Sequence, residues 1–432
     1  MGSIVAIVGR PNVGKSTFFN RMIKKREAIV DSLSGVTRDR HYGKSDWNGR
    51  FFTLIDTGGY VEQSDDVFQK EIDKQVNLAI EESDIILFMV DVSDGLTGMD
   101  QSIAKLLRRS QKPIFLVVNK VDNTNKNALE FYELGFSEIY SISSLSGSGT
   151  GELLDSLIKK LPKDEELLED TLPRFAVVGR PNAGKSSFIN ALIGEERYIV
   201  TDVAGTTRDS IDTHYNRFGF DFKLVDTAGI RRKSKVKEDI EFYSVMRSIR
   251  AIEYSDVCIL IVDGTRGFDG QVQNIFWLAH RNNKGVVILV NKWDLIEKNT
   301  SSSKKYEVLI KEAISPFKDV PIIFISTKTK QRIFKAIEKS VEVYKSRSTK
   351  IPTKSFNNVM LPIIQKTPPP SFKGKFVKIK FCTQLPTPHP QFVFFCNLPQ
   401  YVKEPYKRFL ENKIREEYDF EGVPLQIFFR KK

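Results

Sequence analysis

The octapeptide Gly9-Arg-Pro-Asn-Val-Gly-Lys-Ser16 returns 170 residues later as Gly179-Arg-Pro-Asn-Ala-Gly-Lys-Ser186. Both copies fit G-x-x-x-x-G-K-[ST]. Both follow a short apolar run (Ile4–Val8, Phe175–Val178) and precede a predicted helix (Phe18–Ile23, Phe188–Ile193). A strand, a Gly-rich turn and a helix are the context in which this motif cradles phosphates. The turn exposes backbone N–H groups, and the helix dipole favours negative charge. On this reading Gly9, Asn12, Val13, Gly14 and Thr17 line one cradle. Gly179, Asn182, Ala183, Gly184 and Ser187 line the other. Lys15 and Lys185 reach the outer phosphates, and the hydroxyls of Ser16 and Ser186 bind Mg²⁺. A turn that merely joins strand to helix would account for one copy, but not for two near-identical ones.

The repeat extends outward. Asp31–Asp39 answers Thr201–Asp209, and Asp56-Thr-Gly-Gly59 answers Asp226-Thr-Ala-Gly229, all at an offset of 170. Asn119-Lys-Val-Asp122 answers Asn291-Lys-Trp-Asp294 at 172, and Ser143-Ser144 answers Ser326-Thr327 at 183. Each Asn-Lys-x-Asp ends an apolar strand, at the edge where α/β sheets bind ligands. The carboxylate of Asp122 or Asp294 can accept two hydrogen bonds from guanine, which adenine cannot offer, so Asn119, Lys120, Asn291 and Lys292 join the site. A buried carboxylate left unpaired discriminates by up to ~10⁴–10⁵-fold. The ligand is therefore GTP or GDP. Asp56 and Asp226 would orient the Mg²⁺ hydration shell. The N–H groups of Gly59 and Gly229 would sense the γ-phosphate, and Thr37 and Thr207 would complete the metal's octahedron. Backbone amides at Ser143, Ser144, Ser326 and Thr327 would meet the guanine carbonyl.

Between these motifs, continuous apolar runs (Phe51–Ile55, Ile85–Val90, Ile114–Val118; Phe222–Val225, Val257–Val262, Val286–Val290) alternate with amphipathic stretches such as Asp66–Glu82 and Gly270–Arg281. This pattern predicts α/β domains with a mostly parallel sheet and helices on both faces. The chain divides into a first nucleotide domain (1–160), a short acidic linker (161–172), a second nucleotide domain (173–344) and a basic tail (345–432). The tail reads α-β-β-α-β: Pro352–Gln365, Phe376–Cys382, Gln391–Cys396, Val402–Glu417 and Leu425–Arg430. It holds 17 Lys/Arg against 6 Asp/Glu, leaving 49 against 48 for the rest of the chain. Nearly all of the net +12 therefore sits in the tail, which points to a polyanionic partner. The aromatic-rich strands of the tail (Phe376, Phe381, Phe392, Phe394, Phe395) suggest base stacking on RNA, but alternation over Lys375–Phe381 favours core packing for these rings and leaves Lys378 and Lys380 on the open face as the better RNA contacts. No apolar run reaches the ~18 residues of a membrane span. The N-terminus enters the first strand with no room for a signal peptide. Three scattered cysteines (Cys258, Cys382, Cys396) read as buried thiols in a reducing cytosol.

This arrangement resembles the Der (EngA) family of bacterial tandem-domain GTPases over essentially all 432 residues. The resemblance rests on two P-loops, two Asn-Lys-x-Asp motifs, an acidic join and a basic tail. It implies a KH-like C-terminal domain, GTP hydrolysis coupled to assembly of the large (50S) ribosomal subunit, and contact with that subunit's precursor and its ribosomal RNA. It further implies a cytoplasmic protein, read here as a monomer. The tail has no G-x-x-G loop, so the usual KH clamp on RNA cannot be assumed. Tyr60 and Ile230 stand where Ras-like enzymes place a water-orienting Gln. In related domains an Asn at the position of Asn12 and Asn182 helps hold K⁺ beside the β/γ-phosphates, where the ion can stabilise transition-state charge. The alternative role for that Asn is support of the turn. The segment Ile230–Lys237 is either a solvated basic loop or a nucleotide-dependent contact. Catalysis would then rest on Lys15, Lys185, Thr37, Thr207, Mg²⁺ and backbone amides. A GTP-regulated RNA-modification enzyme, a nucleotide-independent RNA scaffold and a membrane-remodelling GTPase are the competing classes. The first lacks a second catalytic constellation, the second is hard to square with two P-loops, and the third lacks an anchor.

Overall fold

A computed structural model describes residues 3–27, 42–57, 76–77, 79–81, 83–122, 128–161, 172–193, 212–225, 241–296, 302–371 and 374–431. The chain divides into two compact units, Met1–Asp170 and Thr171–Lys432.

In the first unit six strands form one sheet: β1 (Ser3–Val8), β2 (Tyr42–Trp47), β3 (Arg50–Asp56), β4 (Ile85–Asp91), β5 (Ile114–Asn119) and β6 (Ile139–Ser141), in the order β2-β3-β1-β4-β5-β6. Only β2 runs antiparallel to its neighbour. The apolar runs are uninterrupted because both faces are covered. Val5, Ile7, Leu87, Met89, Phe115 and Val117 pack with Phe18, Met22 and Leu153. Those residues come from helices α1 (Lys15–Glu27) and α3 (Thr150–Lys160). Alternate residues Ala6, Val8, Phe88, Val90 and Val118 pack with Ile103 and Leu107 of α2 (Gly98–Leu107) on the other face. Every second side chain thus serves one of two cores. Strand β1 is where the order reverses, so the P-loop that follows it opens at the crevice where such sheets take ligands.

The second unit repeats this sheet with β7 (Arg174–Val178), β8 (Thr213–Arg217), β9 (Phe220–Val225), β10 (Val257–Asp263), β11 (Gly285–Asn291) and β12 (Ile322–Phe324), in the order β12-β11-β10-β7-β9-β8. Its described helices are α4 (Lys185–Ile193), α5 (Glu241–Tyr254), α6 (Gly270–Arg281), α7 (Ser302–Ala313) and α8 (Ile333–Ser348). The hairpins β2–β3 and β8–β9 were not anticipated from the apolar runs. Asn48-Gly49 and Phe218-Gly219 turn them with positive φ at both residues (47° and 78°; 54° and 78°), as a tight hairpin turn requires. In the first unit Trp47 Nε1 donates to Asp155 at 2.6 Å. In the second, the Phe218 ring meets Phe334 edge-on at 4.9 Å. Both contacts latch the hairpin to the helix that follows the last strand.

The tail follows the expected α-β-β-α-β order: α9 (Thr353–Lys366), β13 (Ile379–Gln384), β14 (Gln391–Cys396), α10 (Glu404–Glu417) and β15 (Gln426–Lys431). β13 is antiparallel and β15 parallel to the central β14. Phe392 and Phe394 are fully buried against Phe356, Met360, Leu410 and Ile414. The expectation that Phe376 and Phe381 share this core fails, since they are 68% and 38% exposed. Phe376 has the parity of Lys378 and Lys380 rather than that of Val377. A register shift between Ile379 and Phe381 then turns Cys382 inward and Phe381 outward. All three cysteines are buried free thiols, as expected, and burial raises the pKa of each.

The tail is stitched to the second sheet. The Val286 amide donates to the Gly422 carbonyl and the Gly422 amide to the Asp319 carbonyl, both at 2.8 Å. The Arg415 guanidinium lies 5.0 Å from the Phe317 ring and bonds Asp319 (3.1 Å), Glu411 and the carbonyls of Phe420 and Val423. One hydrophobic cluster runs from Phe175 and Val287 through Val343 to Phe356 and Val423. The helix α8 crosses position 344 without a break.

His280 packs between the rings of Trp277 and Phe317, at 5.3 and 5.0 Å. Desolvation, with Arg415 and Arg281 nearby, pushes its pKa down to about 4 from an ordinary 6.5. The unfolded chain therefore binds the extra proton between those values, so this group's stabilisation is complete above about pH 6.5 and falls as pH drops toward 4. The loss is on the order of 2 kcal/mol. His280→Phe should remove that part of the acid sensitivity, as measured by denaturant unfolding at pH 7 and pH 4.5.

Candidate nucleotide sites

Each P-loop leaves its central strand and enters its helix with the two functional side chains already set. Lys15 is buried, and its ammonium donates to the carbonyls of Gly9 and Arg10, both at 2.8 Å. Lys185 repeats this with Gly179 (2.7 Å) and Arg180 (2.6 Å). These are the bonds that phosphate oxygens can share when they enter the loop. Desolvation lowers Lys15 to about 8, opposed by the Asp56 carboxylate and reinforced by Arg10. Asn12 and Asn182 sit in the left-handed region (φ 65° and 62°), which Asn tolerates better than most residues. Their role in the turn is thus visible in the backbone, and both side chains are exposed.

Ser16 Oγ donates to Asp56 Oδ2 at 2.6 Å. Asp56 is fully buried at the end of β3, and its neighbour Thr57 is anchored by a 2.7 Å bond to the Ile7 carbonyl. A hydroxyl and a carboxylate oxygen side by side, next to the phosphate cradle, are the hard donors that suit Mg²⁺. The predicted site residues Thr37, Gly59, Thr207, Asp226 and Gly229 lie outside the described residues, as do Tyr60, Ile230 and the basic segment 230–237.

A single asparagine joins the phosphate loop to the base loop in each copy. Asn119 Nδ2 donates to the Val13 carbonyl at 2.7 Å, and its Oδ1 accepts from the Ser144 amide at 2.9 Å. Asn291 does the same with Ala183 (2.9 Å) and Thr327 (3.0 Å). A Cβ at Gly14 or Gly184 would overlap that asparagine's Nδ2, so the second P-loop glycine is needed for this close approach as well as for its φ near 100°. Lys120 pairs with Asp91, and Lys292 pairs with Asp263 at 2.6 Å. Ser143 Oγ bonds Asp122. Asp91 and Asp263, each the last residue of its strand, were missed in the sequence. Their place beside Lys120 and Lys292 was readable only from their shared offset of 172. Arg10 was missed too. It bonds Asp94 at 2.8 Å and Asp100 at 3.4 Å, while Arg180 bonds Asp269, which ties the start of each P-loop to the segment after the fourth strand of its sheet.

The second base loop lacks the glycines of the first yet keeps its course. Gly147 (φ 93°) and Gly149 (φ 73°) correspond to Lys330 (φ 58°) and Arg332 (φ 60°) at the same offset of 183. The Ser326 amide bonds the Gln331 carbonyl at 3.3 Å as Ser143 bonds Ser148 at 3.0 Å. Thr329 N bonds Ser326 Oγ at 3.1 Å as Ser146 N bonds Ser143 Oγ at 3.1 Å. Each left-handed non-glycine residue costs on the order of 1 kcal/mol. Lys330→Gly should therefore stabilise the second unit by about 0.5–1 kcal/mol, read as a higher denaturation midpoint in the full-length protein with unchanged guanine-nucleotide binding.

Comparison with known proteins agrees with this geometry. A family model described as "50S ribosome-binding GTPase" matches residues 4–120 and again 174–292. The model "KH-domain-like of EngA bacterial GTPase enzymes, C-terminal" matches residues 350–430. The chain is 72% identical over 434 residues to GTPase Der of Christiangramia forsetii, covering 100% of both chains. It is 68% identical over 439 residues to GTPase Der of Flavobacterium psychrophilum, again covering 100% of both. Among solved structures, Era in complex with MgGDPNP and nucleotides 1506–1542 of 16S ribosomal RNA is 30% identical, with a TM-score of 0.31, covering 45% of this chain and 68% of that one. Two P-loops bound to base loops through an asparagine, followed by a KH-like tail, are here joined by full-length identity: the chain belongs to the GTPase Der family, GTP-hydrolysing proteins of ribosome assembly.

Proposed function

We propose that this GTPase acts as a tandem switch on the precursor of the large ribosomal subunit, with the basic tail contacting ribosomal RNA. The observation that carries the nucleotide part is the paired asparagine tie, which presents a phosphate cradle and a base loop as one rigid pocket, twice. In each pocket the P-loop amides and Lys15 or Lys185 bind the phosphates. Ser16, Asp56 and Thr37 hold Mg²⁺ in the first site, and Ser186, Asp226 and Thr207 in the second. Asp122 and Asp294 read guanine, and Gly59 and Gly229 sense the γ-phosphate. Catalysis is positioning and electrostatics toward a water nucleophile. Tyr60 and Ile230 stand in place of the usual Gln; Asn12 and Asn182 would help hold K⁺, which would supply charge stabilisation in the transition state. The protein works as a cytoplasmic monomer divided at 1–160, 161–172, 173–344 and 345–432. What supports the ribosomal partner is the confinement of almost all net positive charge to the tail, together with family membership. Among the described residues no helix is long and apolar enough to cross a membrane.

The guanine assignment is tested by Asp122→Asn and Asp294→Asn. Each amide turns an acceptor into a donor, so each variant should move one site toward xanthosine triphosphate, losing GTP affinity by about 10²-fold or more. Titration of both nucleotides against full-length single variants checks this; unaltered GTP preference in both removes the assignment. The cation assignment is tested by exchanging K⁺ for Na⁺ at fixed ionic strength. GTP turnover should fall at least several-fold in wild type, and Asn12→Ala or Asn182→Ala should erase its own domain's share of the difference.

A further inference from the structure

The tail's sheet has two unlike faces. Helices α9 and α10 cover one of them, burying Phe392 and Phe394, with Ile427 and Phe429 packed alongside. The register pairs Phe381 with Phe395, Val393 with Phe428, and Phe395 with Arg430, which puts Phe381, Phe395, Phe428 and Arg430 together on the opposite face. Val393, the shortest apolar side chain of that face, is fully buried. The phenylalanines are not: Phe381 is 38% and Phe428 36% exposed, Phe395 is half-buried, and its ring lies 5.8 Å from that of Phe381. Phe376, just ahead of β13, is 68% exposed. A soluble protein rarely spends three adjacent strands on displaying aromatic rings unless the face is used.

Charge indicates what uses it. All six acidic residues of the tail lie between Glu404 and Glu421. There they pair locally, as in Lys407–Glu404, Lys413–Glu416 and Arg415–Glu411. The three strands contain no acidic residue, and Lys378, Lys380, Arg430 and Lys431 are exposed. Among the described residues no carboxylate pairs with any of these four. Ring faces set among unneutralised cations are suited to a strand with flat bases and a charged backbone. A protein partner would have to bring carboxylates for those cations, while duplex RNA offers no free base faces to the rings.

We propose that the outer face of the sheet β13-β14-β15 is a stacking platform for single-stranded RNA, with bases on Phe381, Phe395 and Phe428 and phosphates against Lys378, Lys380 and Arg430. The proposal rests on the reading of the tail as the RNA-contacting domain and names the RNA form and the face. It places recognition on the sheet rather than on a loop clamp, in keeping with the missing G-x-x-G.

The test uses the full-length protein, because deleting the tail would lay open the hydrophobic cluster it shares with the second sheet. The probes are a fluorescein-labelled 12-nucleotide single-stranded RNA of mixed sequence and a duplex of the same length, titrated across a salt series. The double variant Phe381→Leu/Phe428→Leu keeps apolar area and removes the rings. It should bind the single strand about 5- to 100-fold more weakly with an unchanged salt slope. Phe381→Trp should bind at least as tightly as wild type, and it carries the test by itself if the leucine pair melts early. Lys378→Ala/Lys380→Ala should lower the salt slope by about 1.4. The platform is overturned if the leucine pair binds like wild type, if wild type ignores the single strand, or if the duplex shows the same losses. A leucine pair that changes sedimentation of the RNA-free protein assigns the face to a second copy of the chain instead. Co-sedimentation with ribosomal particles separates the two readings. Wild type that binds particles but not the single strand defeats the platform alone, whereas wild type that binds no particles defeats the proposed function.

Discussion

The amide of one buried asparagine per nucleotide domain holds each site together. Asn119 and Asn291 are 1% and 0% exposed. Each satisfies a P-loop carbonyl with its nitrogen and a base-loop amide with its oxygen. A primary amide supplies a donor and an acceptor side by side without depending on protonation state, and Gln, the other side chain that has one, is one methylene too long. Leaving either backbone group unpaired in the interior would cost about 1–3 kcal/mol. The tie also accounts for a neighbouring requirement, since the P-loop glycine that faces the amide has no room for a side chain. Phosphate and base recognition, encoded more than 100 residues apart, are thereby one rigid object.

The two copies show which features that object tolerates. Backbone course is kept while side chains change. The left-handed positions of the base loop pass from Gly147 and Gly149 to Lys330 and Arg332 with the hydrogen bonds intact. The hairpin latch passes from an indole–carboxylate bond to an edge-on phenylalanine pair. Ser144 and Thr327 are interchangeable because the contact is made by the amide and not by the side chain. The second loop lacks the glycines of the first, yet it keeps the same backbone hydrogen bonds.

This difference shows where sequence reading succeeds and fails. The P-loops, the Asn-Lys-x-Asp motifs and the parallel strands were legible because each is local, or periodic over a few residues. Strand β14 was legible to the residue, from Gln391 to Cys396. The faces of β13 were not, because an alternation argument assumes constant register and one irregularity reverses everything beyond it. Asn48-Gly49 was a readable turn signal, but β2 carries few apolar residues and gave no strand pattern. The Lys120–Asp91 and Lys292–Asp263 pairs and the contacts of Arg415 join residues far apart in sequence. Nothing in composition or spacing selects such partners.

The contacts between tail and second sheet bear on what the GTP cycle can move. Separating them would unpair the Val286 and Gly422 amides and the Asp319 carbonyl, break the Arg415 bonds to Asp319, and uncover Val343 and Pro321 where Gly422 packs. At about 1–3 kcal/mol for each buried polar group left unmet, that cost exceeds the 1–3 kcal/mol by which a ligand ordinarily couples to a distant site. Helix α8 strengthens the link. It begins at Ile333, directly after the base loop, and carries Arg347 near its far end, bound to Asp256 at 3.0 Å. The second nucleotide domain and the tail are therefore held together by a continuous helix as well as by the contacts of Gly422 and Arg415.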